Sequence, residues 1–311
     1  KIVDSRHLGL SALAKDDPAL LELVSRVEEE TGIPRQLTQQ LVDTLKGADH
    51  LGSLLKVGEA LDRAVLAQAP LLASRALSLE EARAALLTRL EQFVARHSRS
   101  QALGLRLRGE QLASGVRFIR LVGEGQYHLV VGNPPYQGAG KMVDSAYVAR
   151  HYYEGRADLS VAFILRSLEL LVAGGKNSLL TIRGWLYIGQ FEAARKKILG
   201  SHFLEALGDF DWGAFVEVVG KILCVTAALI RKDRPLSGSA VAIQPFPLDT
   251  PYRNDNRRAF RKEAATPPQI GRTTFRPEDL RAIPGQPLIY WWDREFLARY
   301  AASIRIGDQA P

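Results

Sequence analysis

The tetrapeptide Asn133-Pro134-Pro135-Tyr136 directly follows the apolar run 127–132. A short, continuous apolar run is typical of a buried parallel strand. In open α/β sheets the ligand crevice lies just beyond the carboxyl ends of such strands. The tetrapeptide is therefore predicted to lie at the edge of the sheet where chemistry takes place.

The first three residues of the tetrapeptide suit the binding of an amino group. Asn133 offers a side-chain carbonyl oxygen, and Pro134 contributes a backbone carbonyl with no competing N–H. Pro135 stiffens the loop, because each pyrrolidine ring fixes its own φ and restricts the residue before it. Two such acceptors can hold an –NH2 group with its lone pair directed at an electrophilic methyl group. The sequence thus predicts methylation of an amino nitrogen.

Tyr136 adds an aromatic face beside these acceptors. A base that leaves a duplex loses its stacking and regains part of it against such a ring, an exchange of about a few kcal/mol. The alternative interpretation is a proline turn with Tyr136 packed in the core. We predict that the four residues of the tetrapeptide form the catalytic set.

Residues 130–136 resemble motif IV of the class I, S-adenosylmethionine-dependent N6-adenine DNA methyltransferases. The surrounding sequence is similar to the large adenine methyltransferases of bacteriophage-exclusion (BREX) systems, which are relatives of fused type II restriction-methylation enzymes. The resemblance runs from about residue 118 to the C-terminus. The matching segments are 133–138, 141–147, 157–163, 174–175, 181–185, 283–287 and 290–291, and segment 45–56 matches more weakly.

This resemblance implies a site-specific DNA adenine N6-methyltransferase of a phage-defence or restriction-modification system. Such an enzyme flips an adenine out of double-stranded DNA and transfers a methyl group to it from S-adenosyl-L-methionine. Other phage-defence proteins are implied as further partners. Phe215 matches the aromatic residue that contacts the flipped base in this family, with Trp212 as a second candidate. Packing in the core is the alternative role for either ring.

Lys141 and Asp144 belong to the segment that follows the tetrapeptide. Gly138 and Gly140 give this segment freedom to move. We predict a loop that closes over the target nucleotide, in which Lys141 contacts a phosphate and Asp144 also binds the substrate.

One part of the family pattern is missing from this chain. The cofactor site of the family uses a glycine-rich turn, Asp-Pro-x-x-Gly-x-Gly, well upstream of motif IV. Gly123-Glu124-Gly125 lies only ten positions before Asn133, and Asp17-Pro18 is not followed by glycines. The chain begins with Lys1, and its single methionine is Met142. We therefore expect further sequence upstream, and we expect this chain alone to bind S-adenosylmethionine weakly or not at all.

The charge of the chain favours an anionic partner. Its formal net charge is +7, from 41 Lys and Arg against 34 Asp and Glu, and its pI is about 9.5. Residues 231–311 hold 14 basic and 9 acidic side chains and so carry +5 of this excess. One cluster there is predicted to contact DNA phosphates, with a solvated loop as the alternative. The cluster consists of Arg253, Arg257, Arg258, Arg261 and Lys262.

The pattern of apolar residues predicts an α/β fold, a partial Rossmann-like methyltransferase sheet with an N-terminal helical segment. Residues 1–115 are predicted to be helical, 116–235 to form the catalytic half, and 236–311 to form a basic linker leading towards target recognition. A capping box at 78–81 begins one of the helices. The predicted strands are 117–122, 127–131, 178–182, 203–210 and 221–231, the last two forming an antiparallel edge, and the predicted helices include 159–173 and 190–199.

Nothing in the sequence indicates a membrane or metal protein. No apolar run approaches the ~18 residues of a membrane span, and the N-terminus lacks the pattern of a signal peptide. The single cysteine, Cys224, can form neither an internal disulfide nor a cysteine metal site, and the histidines lack the spacing of metal ligands. We expect a cytoplasmic protein.

Two other functions fit parts of the sequence. The same tetrapeptide occurs in protein glutamine N5-methyltransferases that act on translation release factors, because an amide nitrogen needs the same two acceptors. A non-catalytic, DNA-binding remnant of the fold would account for the missing glycine-rich turn. The long helical segment, the basic C-terminal region and the match at 283–291 favour DNA adenine as the substrate.

Overall fold

The computed structural model describes residues 17–67, 78–97, 103–215, 223–233, 238–245 and 258–303. The chain divides into two compact units, Lys1–Gly123 and Glu124–Pro311. The described part of the first unit is helical, and the second unit combines helices with a mixed β-sheet. The α/β prediction is therefore confirmed.

Two helix caps form in the described part of the first unit, and the sequence predicted the one at 78–81. Asp17 accepts a hydrogen bond from the Leu20 N–H at 2.8 Å and pairs with Arg108 at 2.7 Å. Ser78 and Glu81 form the capping box: the Glu81 carboxylate accepts from the Ser78 N–H at 2.8 Å, and Ser78 Oγ accepts from the Glu81 N–H at 3.2 Å. The helices are α1 Pro18–Thr31, α2 Arg35–Leu45, α3 Ala48–Leu51, α4 Val57–Ala67, α5 Leu79–His97 and α6 Leu103–Leu121.

The predicted strand at 117–122 is wrong, because these residues continue α6. Phe118 and Ile119 are adjacent and both buried, whereas the flanking Arg117 and Arg120 are exposed. A strand would alternate buried and exposed side chains, and this spacing instead follows one face of a helix. The longer helix also moves the division between the two units past the predicted boundary at residue 115.

The second unit is built on a six-stranded sheet in the order β1-β2-β4-β3-β5-β6. β1 runs parallel to β2, and β4 lies antiparallel between β2 and β3. The carboxyl ends of the first three strands therefore meet at one edge, which we call the carboxyl edge. The strands are β1 Tyr127–Gly132, β2 Leu171–Ile182, β3 Phe203–Trp212, β4 Cys224–Arg231, β5 Ala240–Ile243 and β6 Arg272–Phe275.

The helix predicted at 159–173 ends earlier, and β2 begins directly after it. Gly174 and Gly175 lie inside β2 instead of closing the helix. Gly174 has φ 74°, and a Cβ on Gly175 would come within 3.0 Å of the Tyr127 carbonyl oxygen. These glycines accommodate a register shift between β1 and β2. The helices of this unit are α7 Ser145–His151, α8 Leu159–Leu170, α9 Glu192–Ser201, α10 Arg258–Ala265 and α11 Arg294–Ala302.

The described part of 236–311 is not a linker. β5 pairs in parallel with β3, and β6 pairs antiparallel with β5. The β3–β4 pair is antiparallel as predicted but lies inside the sheet instead of at its edge. Buried Arg195 also fastens this region to the sheet, because its guanidinium donates to the Gly285 carbonyl at 2.9 Å and to the Trp185 carbonyl at 2.8 Å.

A buried carboxylate joins β3 to the turn after β2 and to the C-terminal segment. Asp209 is 0% exposed and accepts two hydrogen bonds from Arg183, at 2.6 and 2.9 Å. The hydroxyls of Tyr187 and Tyr290 donate to the same carboxylate at 3.1 and 2.8 Å. Burial and the neighbouring Asp209 charge raise the pKa of both tyrosines, so both remain donors. We call these four residues the Asp209 cluster.

A second buried carboxylate fixes the loop that follows β1. Asp158 caps α8, and its Oδ1 accepts from Ser160 N–H at 2.9 Å and from Ser160 Oγ at 2.6 Å. On either side of Asp158, the Leu159 N–H donates to the Gln137 carbonyl at 2.8 Å and the Ala139 N–H to the Ala157 carbonyl at 3.1 Å. Burial raises the pKa of Asp158 in spite of its own hydrogen bonds.

Replacing Asp209 by Asn should destabilise the fold by about 3 kcal/mol, because it removes the buried partner of the Arg183 guanidinium, whose next carboxylate, Asp211, is 3.8 Å away. The measurement is urea unfolding at neutral pH. Glu205→Gln, on the same strand but in a partly exposed ion pair with Lys176, is the control and should cost less than about 1 kcal/mol. Equal losses for the two variants would contradict the special position of Asp209.

Asp158→Asn keeps an acceptor at the helix cap and removes the charge. Because the pKa of Asp158 in the folded protein is raised above its ordinary value of 3.8, its contribution to stability is present below that value and is lost as the pH rises through the raised pKa. The free energy of unfolding of the wild type, relative to Asp158→Asn, should therefore fall as the pH rises from below 3.8 towards neutrality.

Urea unfolding of both proteins across this range tests the expectation. Asp158→Ala, which loses the cap itself, should cost about 1 kcal/mol more than Asp158→Asn at every pH. A difference between wild type and Asp158→Asn that does not change with pH would refute the effect of the buried charge.

Candidate active site

The tetrapeptide leaves the sheet at the carboxyl edge. β1 ends at Gly132, which lies opposite Leu179 of the neighbouring parallel strand. Asn133 and Pro135 are exposed, Pro134 is buried, and Tyr136 is partly buried. The Asn133 side chain is therefore open to solvent beside the end of β2.

The hydroxyl of Tyr136 holds the predicted acceptor of Asn133. Its Oη donates a hydrogen bond to Asn133 Oδ1, at an O–O distance of 2.5 Å. Partial burial raises the pKa of the Tyr136 hydroxyl, so it stays protonated and remains a donor. This contact orients the amide oxygen and leaves its second lone pair available to an amino group.

The segment that follows the tetrapeptide is anchored. Gly138 forms an isolated antiparallel bridge with Asp158, and residues 139–141 form a 3₁₀ turn. Lys141 is exposed at the end of this turn. Asp144 stands at the N-cap position of α7, and its Oδ2 is buried without a hydrogen-bond partner among the described residues. Lys141 therefore presents its charge to solvent, and Asp144 keeps an unused acceptor.

The two candidate aromatic residues lie near the end of β3, at the same carboxyl edge as Asn133. Trp212 is the last residue of β3 and pairs with Cys224 of β4. Phe215 follows three residues later, and both rings are partly buried. Positive φ angles at Asp211 (51°) and Gly213 (71°) turn the chain at this point.

The basic cluster of the C-terminal region is described only in part. Arg253 and Arg257 lie outside the described residues. Arg258 begins α10, and only its backbone is described. Arg261, on the same helix, is partly buried.

Lys262 does not lie at the surface, and its prediction as a phosphate contact is wrong. Its side chain is 4% exposed. The ammonium donates to the Trp212 carbonyl at 2.9 Å and also to the Phe210 carbonyl. These hydrogen bonds hold α10 against the end of β3, so the Lys262 ammonium stabilises the fold.

Arg183 lies in the matching segment 181–185, but the sequence did not reveal its partner, Asp209. An aspartate at a core-facing position of an apolar strand is the signal that could have indicated it, because buried charges in proteins are paired. The observed pairing identifies Arg183 as a structural residue whose guanidinium is also 3.8 Å from Asp211.

Neither a metal centre nor a membrane helix is found in the described parts of the chain. No group of three or more His, Cys, Asp or Glu side chains is placed there to hold an ion. None of the helices described is both long and apolar enough to cross a bilayer. Cys224 is a free, partly buried cysteine, and burial raises the pKa of its thiol.

Comparison with known proteins shows that this chain is similar to two proteins named as adenine-specific methyltransferases. The adenine-specific methyltransferase PglX of Lacticaseibacillus casei (strain Zhang) is 26% identical over 174 residues, which are 55% of this chain and 14% of that protein. The adenine-specific methyltransferase BrxX of Escherichia coli O9:H4 (strain HS) is 23% identical over 187 residues, 60% of this chain and 15% of that protein. The chain thus spans only a small part of the length of both curated relatives.

A solved structure gives a weaker likeness. A modification subunit of a putative type I restriction enzyme from Vibrio vulnificus YJ016 aligns with a TM-score of 0.39 and 11% identity, over 78% of this chain and 64% of that chain. This similarity is too low to carry an argument about function.

A protein-family model matches the segment that contains the tetrapeptide. The family is described as Eco57I restriction-modification methylase, and the match covers residues 67–215. The matched segment includes β1, the tetrapeptide and Phe215. It also includes every member of the Asp209 cluster except Tyr290. Residues 67–215 of this chain are therefore similar to the Eco57I restriction-modification methylase family.

Proposed function

We propose that this chain carries the substrate-binding side of a site-specific DNA adenine N6-methyltransferase of a phage-defence or restriction-modification system. The observation that carries the proposal is the exposed Asn133 carboxamide, oriented by Tyr136 at the carboxyl edge. The family match over the same segment and the two relatives named as adenine-specific methyltransferases support it.

In this mechanism two carbonyl oxygens bind the adenine amino group. A flipped adenine brings its N6 to Asn133, where one N–H donates to the second lone pair of Oδ1, and the Pro134 carbonyl accepts the second N–H. The two acceptors direct the nitrogen lone pair outward, and the amino group loses a proton to water after methylation. Holding reactants in this way supplies up to roughly 7–11 kcal/mol of the barrier reduction.

The other candidate residues take supporting roles around the flipped nucleotide. The Tyr136 ring stacks on the base, and Phe215 provides a second aromatic face. Lys141 contacts a backbone phosphate, and the unused Asp144 oxygen accepts a hydrogen bond from the nucleotide. Double-stranded DNA binds along the basic surface that includes Arg253, Arg257, Arg258 and Arg261, and the protein works in the cytoplasm with other phage-defence proteins.

S-adenosyl-L-methionine, the methyl donor of such enzymes, does not fit the residues that the structure describes. No described strand is joined to a helix by a glycine-rich turn, and β1 is followed by the proline-rich tetrapeptide. The described residues leave two alternate side chains of β1 exposed to solvent: Leu129 is 58% exposed and Val131 is 69% exposed. We assign the cofactor contacts to other parts of the longer parent protein and derive no step from them.

Two alternative functions remain open to the same test. A protein glutamine N5-methyltransferase would use the same two acceptors, but the relatives' names specify adenine. A non-catalytic DNA-binding remnant is favoured by the missing glycine-rich turn. Activity of the full-length parent on DNA separates all three.

Asn133→Ala in the full-length parent should reduce the methylation rate at least about 100-fold, because the amino group is no longer oriented. DNA affinity should change little. Gln137→Ala is the matched control, since Gln137 is exposed and its described contact is made by its backbone carbonyl. The measurement is single-turnover methylation of adenine in duplex DNA. Undiminished methylation by Asn133→Ala would reject the catalytic role.

Variants of Tyr136 separate its ring from its hydroxyl. Tyr136→Ala should lower methylation of a paired adenine about tenfold more than methylation of an unpaired one, because only the paired base must recover lost stacking. Tyr136→Phe keeps the ring, so its ratio between the two substrates should match that of the wild type. Single-turnover rates on both DNA substrates measure this, and equal losses for Tyr136→Ala on the two would exclude stacking.

A further inference from the structure

We infer that an open pocket beside Tyr136 binds the DNA backbone phosphate that adjoins the target nucleotide, with Arg156 and Lys141 as the cations that hold it. The inference rests on the proposed function and adds a binding site, and a role for Arg156, to it. Its support comes from the size, charge and lining of the pocket.

The pocket has room for a nucleotide unit. Its volume is about 930 Å³, within the range of about 300–1,000 Å³ usual for ligand sites. Tyr136 forms part of its wall, and the rest comes from segments 138–141, 145–149 and 156–157 and from Gln190. A base stacked on the Tyr136 ring would therefore have its own backbone at the mouth of this pocket.

The charge of the pocket is entirely positive. Its lining includes Lys141 and Arg156 but no aspartate or glutamate, and Asp144 is not part of it. The Arg156 guanidinium lies 3.7 Å from the centroid of the Tyr153 ring and donates to the Tyr153 carbonyl at 2.8 Å. Within the described part of the chain, neither cation forms an ion pair with a carboxylate: the nearby Glu154 pairs with Lys197 at 2.9 Å, and Arg156 only adds to the lowering of the Glu154 pKa. A guanidinium and an ammonium without a carboxylate in direct contact suit a phosphate.

Small residues keep the floor of the pocket open. Six of its lining residues are glycine or alanine. A Cβ on Gly140 would meet no atom within 4 Å, and Gly140 is not among the residues with positive φ. Neither packing nor backbone conformation therefore demands glycine at this position. The absence of a side chain at Gly140 leaves space that a ligand backbone can occupy.

The same features separate a nucleic-acid substrate from a protein. A DNA strand places a phosphate on each side of every nucleotide, whereas a glutamine-containing loop brings no such anion. Gln190 adds an amide donor and acceptor at the pocket, which can bind a sugar or base edge of the neighbouring nucleotide.

The test measures binding of the 311-residue chain to fluorescein-labelled duplexes that contain one unpaired adenine. In a set of otherwise identical duplexes, each phosphate flanking that adenine is replaced in turn by an uncharged methylphosphonate. We expect one replacement to weaken wild-type binding about tenfold, as the loss of one charge-assisted contact would. Arg156→Ala should lose about tenfold on the natural backbone and show little further loss with that methylphosphonate, because both changes remove the same contact.

Two further variants sharpen the outcome. Gly140→Val fills the pocket without changing charge and should also abolish the sensitivity to the methylphosphonate. Arg150→Ala, an exposed arginine of α7 outside the pocket, is the control and should keep that sensitivity. If the methylphosphonate weakens binding of Arg156→Ala by the same factor as it weakens binding of the wild type, the pocket assignment is overturned. The proposed function would then still stand. The pocket assignment is also overturned if the wild-type chain binds none of the duplexes. A full-length parent that binds DNA but methylates no adenine would overturn the proposed function alone.

Discussion

The buried charge of Asp209 is the interaction on which the carboxyl edge of the sheet depends. A carboxylate taken out of water costs several kcal/mol unless well-placed donors replace the lost solvent. Arg183, Tyr187 and Tyr290 supply those donors from the turn after β2 and from the C-terminal segment. The Asp209 carboxylate therefore holds together β3, the turn after β2 and the C-terminal segment, next to the candidate site.

The candidate site adds local stiffness to this frame. Prolines restrict the backbone of the tetrapeptide, the Tyr136 hydroxyl orients the Asn133 amide, and the cap at Asp158 holds the segment that follows. The Tyr136–Asn133 and Ser160–Asp158 contacts join residues three and two positions apart, whereas the Asp209 cluster spans 107 positions from Arg183 to Tyr290. Short-range restraints shape the acceptors, and a long-range ion pair fixes the edge from which they project.

Features that depend on neighbouring residues in the chain were predicted from the sequence. Features that depend on residues far away in the chain were not. The capping box at Ser78, the strand before the tetrapeptide and the antiparallel β3–β4 pair follow from periodicity and residue type. Residues 117–122 were ambiguous because a short apolar run fits a helix or a strand. Lys262 looked like a solvated cation, since its carbonyl partners are 50 and 52 positions away. The linker prediction failed because short strands such as β5 carry little periodic signal.

The position of β4 imposes an order on folding. β4 follows β3 in the chain but lies between β2 and β3 in the sheet, so both of those strands leave the ribosome before the strand that joins them. Until residues 224–231 are inserted, two apolar strands present bare edges, a state prone to mispairing and aggregation. The bond between Arg183 and Asp209 reaches across β4, and it therefore closes only after that insertion. The carboxyl edge is therefore completed only after residues 224–231 have been synthesised.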